Sequence, residues 1–503
     1  MAERTGFEPA RLLHQHDFQS CAIDRTRPSL HDMNFSEIYY TKELMKKQVF
    51  FKIYFFILNS VIKSRFLDAF TYGLKRIEPL RSPKNNHKIL KGGVILADQI
   101  NVHSEIGKLK RVMLHRPGKE LENLMPEYLD RLLFDDIPYL KTAQEEHDAF
   151  AELLRAQGAE VVYLTDLVAE SILDADIKEQ FISDFIRETE VRSSWELDFL
   201  TDYFKSKPTK EMVDEMCAGV RKSAVKEHES SSLSSLLKIL DDDYPFLIDP
   251  MPNLYFTRDP FASVGNGVTI HKMRTKTRTR ESLFAKYIFT YHPMYKDTRI
   301  WYDRTEDSSL EGGDILILNE KTIAIGISQR THENAIEKFA NEILGEKTTF
   351  EKVLAFNIPK ERSFMHLDTV FTMVDHNKFT IHPNIVDQIM VFVIHRDSNG
   401  KIRIQQEQSD LEDILKKYLE LDEITLLRCG SDSKVDSSRE QWSDGSNTLA
   451  IAPGEVVVYA RNYLTNEILE ENGIKTHVIK CSELSRGRGG PRCMSMPLIR
   501  EPM

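Results

Sequence analysis

The residue best suited to nucleophilic chemistry is Cys493, which ends the glycine-rich and arginine-rich segment SRGRGGPRC at residues 485–493. Glycines let a backbone approach a ligand closely. Three nearby arginines favour the thiolate, the reactive form of a thiol whose free pKa is about 8.5. The alternative is a solvated basic turn beside an ordinary buried cysteine. An RNA-binding element is disfavoured, because a single arginine–glycine segment stands alone in an acidic protein.

A histidine and a carboxylate stand two residues apart in MHLDT, residues 365–369, which is predicted to open a strand. On a strand His366 and Asp368 share one face, where they could transfer protons or bind a metal. The motifs EGGD (311–314) and NLYFTRD (253–259) place more carboxylates near strands. Each motif alone fits ordinary turn or strand-edge carboxylates. Together with the cysteine they supply a nucleophile, a base and acceptors for a cationic substrate.

These motifs are embedded in an α/β pattern that begins near residue 101. Residues 331–344 carry an apolar stripe typical of a helix. Residues 165–243 contain no strand pattern and are predicted to form a helical module, with helices at 177–190 and 210–226. The order strand–strand–helix–strand recurs, so α/β is the predicted class. The predicted strands are 111–115, 160–164, 267–271, 314–319, 322–327, 369–374, 391–394, 448–451 and 455–459.

Composition excludes several classes of protein. The chain has 503 residues, of which 41% are hydrophobic and 29% charged, which suits a folded core. Its net charge of −11 disfavours sequence-independent nucleic-acid binding. The five cysteines are far apart and form no CxxC pair, which argues against a disulfide scaffold or a thiolate zinc site and predicts a reducing cytoplasm. We interpret Cys217, Cys429 and Cys481 as structural.

Residues 1–97 differ from the rest, with 16 basic and nine acidic residues. Their most apolar run, 49–62, is shorter than the roughly 20 residues of a membrane span, and it lies too far along the chain for a signal peptide. Three interpretations remain: a basic surface-binding helix, a poorly folded tail, or translated sequence upstream of the true start. We favour the last two.

The motifs FTRDP, LEGGD, MHLDTVF and SRGRGGPRCMSMP, in this order, resemble those of bacterial arginine deiminases. VHSEIGKL (102–109) and LFDD (133–136) look like the same family, and the resemblance extends from about residue 101 to 501. It implies a five-bladed α/β propeller with an inserted helical bundle. We therefore expect an N-terminal extension at 1–97, a catalytic domain at 98–503 and a helical insertion at 166–243.

The resemblance also implies the reaction, which is hydrolysis of L-arginine to L-citrulline and ammonia without a metal or organic cofactor. It makes Cys493 the nucleophile that attacks the guanidinium carbon and His366 the general acid and base. Asp259 and Asp368 would grip the guanidinium with charge-assisted hydrogen bonds, and Glu311 would lie near both substrate and histidine.

For the amino-acid end of the substrate, the resemblance implies that Arg278 and Arg330 bind the α-carboxylate with help from Asn253. Phe256 would pack against the methylene stem, and Arg488 would act as a gate or an extra contact. Some family members carry a histidine where this chain has an arginine before the cysteine, and we expect little effect of this on the chemistry. The family also predicts a cytoplasmic homo-oligomer, and we expect neither a nucleic-acid nor a membrane partner.

Other functions remain open at this stage. A related amidinotransferase, or a deiminase acting on agmatine or methylated arginine, would share the cysteine, histidine and carboxylates. A metal-dependent hydrolase could use His366, Asp368 and Glu311 as ligands. A binding protein without catalytic activity could be built on the same fold.

Overall fold

The computed structural model describes residues 99–224, 244–386 and 388–503. The predictions made for residues 1–97, including the apolar run 49–62, lie outside the described residues, as does the end of the predicted helical module. Within the described part of the chain, no helix is long and apolar enough to cross a bilayer.

The described residues contain 19 strands, and helices connect many of them. The strands are β1 Leu109–Leu114, β2 Glu160–Tyr163, β3 Val220–Arg221, β4 Phe246–Ile248, β5 Phe261–Val264, β6 Gly267–Ile270, β7 Arg299–Tyr302, β8 Ile315–Ile317, β9 Thr322–Ile327, β10 Lys352–Asn357, β11 Phe371–Asp375, β12 Lys378–Ile381, β13 Met390–Arg396, β14 Ile402–Gln406, β15 Thr425–Arg428, β16 Leu449–Ala452, β17 Glu455–Tyr459, β18 Lys475–Ile479 and β19 Met496–Arg500. The helices are α1 Leu129–Leu132, α2 Leu140–Ala156, α3 Leu164–Ser171, α4 Ala175–Arg187, α5 Ser194–Lys205, α6 Thr209–Ala218, α7 Glu281–Tyr291, α8 Glu333–Ile343, α9 Leu411–Leu419, α10 Lys434–Trp442 and α11 Tyr463–Glu471.

One arrangement of strands recurs in five open sheets. In each, an antiparallel pair is followed by a parallel neighbour, and the three strands are β19-β1-β2, β5-β6-β7, β8-β9-β10, β11-β12-β15 and β16-β17-β18. The hairpin β13–β14 extends one of the sheets, and β3 pairs with β4 separately. The chain therefore has an α/β fold built from a repeated strand–strand–helix–strand unit.

The connections between strands explain why this order of strands and helices recurs. Parallel neighbours need a long crossover, and a helix provides it, as α8 does between β9 and β10 and α11 does between β17 and β18. In four of the five sheets the antiparallel partners are joined by short turns, whereas β1 and β19 come from opposite ends of the described chain. Between β16 and β17 the turn contains Gly454 at φ 69°, a left-handed conformation that favours glycine.

The predicted helical module contains α3 to α6, and α4 packs on α7, the helix between β6 and β7. Phe181 and Phe185 of α4 contact Phe284 of α7, with ring centroids 5.8 and 6.5 Å apart. The predicted helix at 210–226 is too long, because α6 ends at Ala218 and Gly219 follows with φ 79°. The expectation that this region lacks strands is also wrong, since β3 lies within it.

Each of the nine predicted strands overlaps an observed one, and the predicted helix at 331–344 corresponds to α8. The strand predicted at 369–374 begins only at Phe371. Ten observed strands were not predicted, among them β7, β12, β15 and β18. The parallel third strand of the repeated unit is therefore the element that the pattern most often missed.

Candidate active site

The chemically important residues lie in short segments ahead of the first strand of each repeated sheet. Asp259 precedes β5, Glu311 precedes β8 and Cys493 precedes β19. His366 and Asp368 lie ahead of β11. One position in the repeated unit therefore supplies residues from several sheets to a single site.

The histidine and aspartate of MHLDT do not lie on a strand, contrary to expectation. Leu367–Thr369 form a 3₁₀ turn that has His366 at its N-terminal cap. The turn is fixed because the amide of Leu367 donates a 2.8 Å hydrogen bond to Oδ1 of Asp314. The two predicted residues consequently have different neighbours, since His366 contacts Glu311 whereas Asp368 approaches the cysteine.

An imidazolium–carboxylate pair lies at the centre of the site. His366 Nε2 is 2.9 Å from Glu311 Oε2, and its Nδ1 is 3.8 Å from Asp259 Oδ1. Burial alone would lower the pKa of His366, but the charge of Asp259 and the hydrogen bond with Glu311 outweigh burial and raise this pKa to about 9. Burial would raise the pKa of Glu311, but Arg330 and His366 lower it to about 2. Both groups are therefore charged at neutral pH.

The thiol of Cys493 is buried beside a carboxylate. Its Sγ lies 3.6 Å from Asp368 Oδ2, and its amide donates a 3.0 Å hydrogen bond to Oδ1 of Asn447. Asn447 comes from the segment ahead of β16, the fifth repeated sheet. Burial, followed by the negative charges of Asp368 and Asp259, raises the pKa of the thiol well above its ordinary value.

The arginine cluster was expected to favour the thiolate, but burial and the nearby carboxylates outweigh its effect on the pKa of Cys493. Arg486 is turned to the surface, where it pairs with Asp136 and Glu483. Arg492 is the arginine of the segment that lowers the thiol pKa, but its effect is smaller than those of burial and the carboxylates. At neutral pH the thiol is consequently protonated.

Two buried aspartates each accept a hydrogen bond from an arginine through one carboxylate oxygen. Oδ2 of Asp259 accepts a 2.7 Å hydrogen bond from Arg278 Nη1, and Oδ2 of Asp368 accepts one of 2.7 Å from Arg492 Nη1. Oδ1 of each aspartate has no hydrogen-bond partner among the described residues. An unpaired buried carboxylate oxygen is costly, so the pair is suited to hold a cation between them.

The residues predicted to bind the amino-acid end of the substrate differ in how many hydrogen bonds their side chains already make within the protein. Arg278 is held by Glu281 as well as Asp259, with Nη2 2.8 Å from Glu281 Oε2. Arg330 Nη1 lies 3.7 Å from Glu311 but has no hydrogen-bond partner within the described chain. The side-chain amide of Asn253 donates to the carbonyl of Leu132. Arg330 is thus the better placed of the two arginines to bind another anion.

The glycine-rich segment packs on Phe256 at the edge of the site. A side chain at Gly489 would overlap the ring of Phe256, and one at Gly487 would overlap Tyr255. Between the two glycines stands Arg488, a non-glycine residue with φ 62°. The glycines are therefore required for close approach, and they bring the arginine against the site.

One cavity brings most of these residues together. Its lining includes eight of the ten predicted site residues, namely Asn253, Phe256, Asp259, Arg278, Arg330, His366, Arg488 and Cys493. Glu311 and Asp368 lie behind this lining and are fully buried. The cavity volume is about 20 Å³, enough for about one water molecule. Among the described residues, no group of three or more His, Cys, Asp or Glu side chains is arranged to hold a metal ion.

Comparison with known proteins identifies the family. A family model for arginine deiminase matches residues 130–500. The arginine deiminase of Clostridium perfringens (strain SM101 / Type A) is 58% identical over 409 residues, which cover 80% of this chain and 98% of that protein. The chain belongs to the arginine deiminase family. The enzyme of the same name from Borrelia duttonii (strain Ly) is 54% identical over 405 residues, with 80% of this chain and 98% of that protein covered.

Solved structures of related enzymes are more distant than these family members. An amidinotransferase from Microseira wollei in the saxitoxin biosynthetic pathway has 13% identity and a TM-score of 0.46, with 80% of this chain and 98% of that chain covered. A dimethylarginine dimethylaminohydrolase has 12% identity and a TM-score of 0.42, with 77% of this chain and 99% of that chain covered.

Sequence reasoning noted Arg492 without its structural role, and it missed Asn447 and Trp442, which also surround the site of this family member. Arg492 is buried and bridges Asp368 and Glu105 through hydrogen bonds of 2.7 to 3.1 Å. Asn447 fixes the backbone of the cysteine, and Trp442 stacks on Arg488. The position of Asn447, two residues before β16, is the only signal that could have revealed it, since the other segments ahead of first strands carry site residues.

Proposed function

We propose that this chain hydrolyses L-arginine to L-citrulline and ammonia through a covalent intermediate on Cys493. The names of its curated relatives support this activity rather than amidine transfer or the deimination of agmatine. The observation that carries the mechanism is a buried thiol that shares one cavity with His366, whose imidazolium pairs with the carboxylate of Glu311 behind the cavity wall. The roles that follow are inferred from this geometry.

Substrate recognition begins with the guanidinium group, which is planar and cationic. Asp259 and Asp368 each offer an unpaired carboxylate oxygen, and such oxygens form paired, charge-assisted hydrogen bonds with a guanidinium. The two aspartates would also replace water around the cation, so the cost of burying it is offset. Phe256 at the cavity wall suits the apolar stem of arginine.

Binding of this cation favours ionisation of the thiol. The pKa of Cys493 is raised by burial and by the carboxylates, and a positive charge placed between those carboxylates opposes both effects. The thiol releases its proton to solvent, and the resulting thiolate forms a bond to the guanidinium carbon and gives a neutral tetrahedral adduct. We infer that substrate binding and activation of the nucleophile are coupled.

The histidine then acts twice. The His366 imidazolium donates a proton to one amino group of the adduct, ammonia leaves as the carbon–nitrogen bond breaks, and a cationic S-alkylthiouronium remains on Cys493. Neutral His366 next removes a proton from water, whose oxygen bonds to the same carbon. The carbon–sulfur bond breaks and the thiolate departs. The protonated urea transfers its proton to this thiolate, which gives citrulline and restores the resting thiol. Glu311 stabilises the imidazolium at both ends of this cycle.

The α-carboxylate of the substrate would bind Arg330, whose Nη1 is unpaired, together with Arg278. Arg278 already interacts with two carboxylates, so it contributes positive charge and orientation more than new hydrogen bonds. Arg488 supplies a further cation at the cavity edge, and Asn253 completes the lining. This clamp would favour arginine over agmatine, which lacks the carboxylate.

The test is turnover by the purified full chain with L-arginine, scored for citrulline and ammonia, with agmatine in parallel. Mass spectrometry of acid-quenched samples should detect an arginine-derived adduct on Cys493. Cys493→Ala should abolish both signals, whereas Cys429→Ala, which alters another buried free cysteine, should retain both. Citrulline formation by Cys493→Ala would refute the covalent mechanism, and preferential turnover of agmatine would refute the proposed substrate.

We also infer that the five repeated sheets are the blades of a propeller around this cavity, with residues 166–243 as a helical insertion. The contribution of all five sheets to one site supports this arrangement. The family resemblance further predicts a homo-oligomer in the cytoplasm. Analytical ultracentrifugation of the full chain would measure its mass in solution and test the oligomer.

A further inference from the structure

Arg488 is held in an unusual way for a buried arginine. Its guanidinium carbon lies 3.6 Å from the centre of the Trp442 ring. Its Nε and Nη1 atoms have no hydrogen-bond partner among the described residues. The nearest carboxylate is Asp135, whose Oδ2 is 3.9 Å from Nη1. Stacking on the indole, more than hydrogen bonding, therefore sets the orientation of this cation.

The segment that receives Arg488 supplies both an aromatic face and negative charge. Trp442 is the last residue of α10 and remains 52% exposed, although tryptophan is usually well buried. Asp444 follows two residues later and is buried, and the charge of Arg488 is the largest influence that opposes the rise of its pKa caused by burial. The end of α10 thus provides an aromatic ring and a nearby carboxylate that can hold a guanidinium.

The dimensions of the cavity imply that part of its lining has to move. A volume of about 20 Å³ holds about one water molecule and cannot admit an amino acid. Arg488 lines this cavity, and its glycine neighbours pack on Phe256 and Tyr255. We take the segment 487–490 as the part of the lining that leaves and returns when a substrate enters. Each return has to place Arg488 in the same orientation.

We propose that Trp442 is a positioning residue that receives Arg488 each time the segment 487–490 closes over bound substrate. The stack uses the face of the guanidinium and leaves its edge, with unpaired N–H groups, available to the carboxylate of the substrate. The inference rests on the proposed function, since it names the aromatic partner of a residue in that site. It assigns to Trp442 a role in substrate affinity and none in the bond-forming steps.

The test compares Trp442→Leu with Trp442→Phe. Leucine keeps apolar bulk but lacks a π face, whereas phenylalanine retains one. We expect Trp442→Leu to raise KM for arginine by about tenfold, the factor that corresponds to a cation–π contact of about 1.4 kcal/mol, with kcat within about twofold of wild type. Trp442→Phe should recover most of the affinity. Tyr463→Leu, which alters another exposed aromatic residue that lines a surface pocket together with Trp442, is the matched control and should leave KM unchanged.

A second measurement is independent of turnover. Arg488→Ala should change the tryptophan emission of the full chain, and this change should vanish in the Trp442→Phe background, where Trp195 and Trp301 are the remaining tryptophans. Equal KM values for wild type and Trp442→Leu, or equal losses in the Leu and Phe variants, would overturn the inference. Absence of citrulline with the wild-type chain would instead refute the proposed function, and the emission experiment would still decide whether the stack forms.

Discussion

Nε2 of His366 lies 2.9 Å from Oε2 of Glu311, and both side chains are excluded from solvent. The residues are 55 positions apart in the sequence and come from turns ahead of different sheets. Because each charge stabilises the other, the pair keeps a proton on the imidazole well above the pH at which an exposed histidine loses it. In the proposed mechanism, this imidazolium can therefore donate a proton to departing ammonia at neutral pH.

The first prediction concerns this pair. Glu311→Gln removes the carboxylate that supports the imidazolium, so the pKa of His366 should fall from about 9 toward its ordinary value of 6.5. We expect kcat for arginine to fall by about 100-fold and the alkaline limb of the pH–rate profile to move to lower pH. An alkaline limb at the wild-type position would contradict this assignment.

The same pair affects stability. The folded-state pKa of His366 lies above 6.5, so its contribution to the free energy of unfolding is fully present below pH 6.5 and is lost as the pH rises through about 9. Urea unfolding of the wild type should show this loss between these pH values. Glu311→Gln should weaken the dependence, because the protonated imidazole then has less to gain on folding.

The second prediction concerns the substrate carboxylate. Arg330→Ala removes an unpaired donor, and a charge-assisted hydrogen bond of about 2 kcal/mol corresponds to a loss of affinity of about 30-fold. Calorimetry with Cys493→Ala as the background should show this loss for arginine and a smaller one for agmatine. Arg362→Ala removes a positive charge from the cavity rim, where it pairs with Asp135, and serves as the control. Equal losses for both ligands would exclude a carboxylate contact at Arg330.

Much of the site could be predicted from the sequence because its residues occur in compact motifs ahead of strands. Cys493, His366 and Asp259 line one cavity, as the motifs suggested. The common face expected for His366 and Asp368 was wrong. The turn that separates them depends on Asp314, 53 residues from Leu367, and a strand pattern read over a few residues contains no information about such a bond.

The arginine that precedes the cysteine was also misinterpreted because its partner is distant in the sequence. Its proximity in sequence suggested a role in ionising the thiol, but Arg492 is bound to Glu105, which lies 387 residues away. The missed strands have a related cause. β15 and β18 each have a single buried residue, so parallel pairing with a neighbour defines them more than their own apolar pattern does.

The third prediction separates substrate binding from thiol acidity. Asp259→Asn and Asp368→Asn should each weaken arginine binding, since a charged acceptor for the guanidinium is lost. Both aspartates raise the thiol pKa, so each variant should also show a lower pKa for Cys493. The pH dependence of alkylation by iodoacetamide measures the second effect, and calorimetry the first. Weaker binding with an unchanged alkylation profile would show that the aspartate does not act on the thiol.

The last prediction concerns the buried bridge formed by Arg492. This arginine donates two hydrogen bonds to Glu105, of 3.0 and 3.1 Å, and one of 2.7 Å to Asp368. Burial would raise the pKa of Glu105, but Arg492 and neighbouring arginines lower it to about 2, so the carboxylate is ionised in the interior. Arg492→Met leaves this charge without its main partner, and we expect the free energy of unfolding in urea to fall by about 3–5 kcal/mol at pH 7.

The double variant Glu105→Gln/Arg492→Met should recover part of this loss, because it no longer buries an unpaired carboxylate. If the single variant were as stable as wild type, or the double variant less stable than the single one, the bridge would not be the reason that Glu105 tolerates its burial.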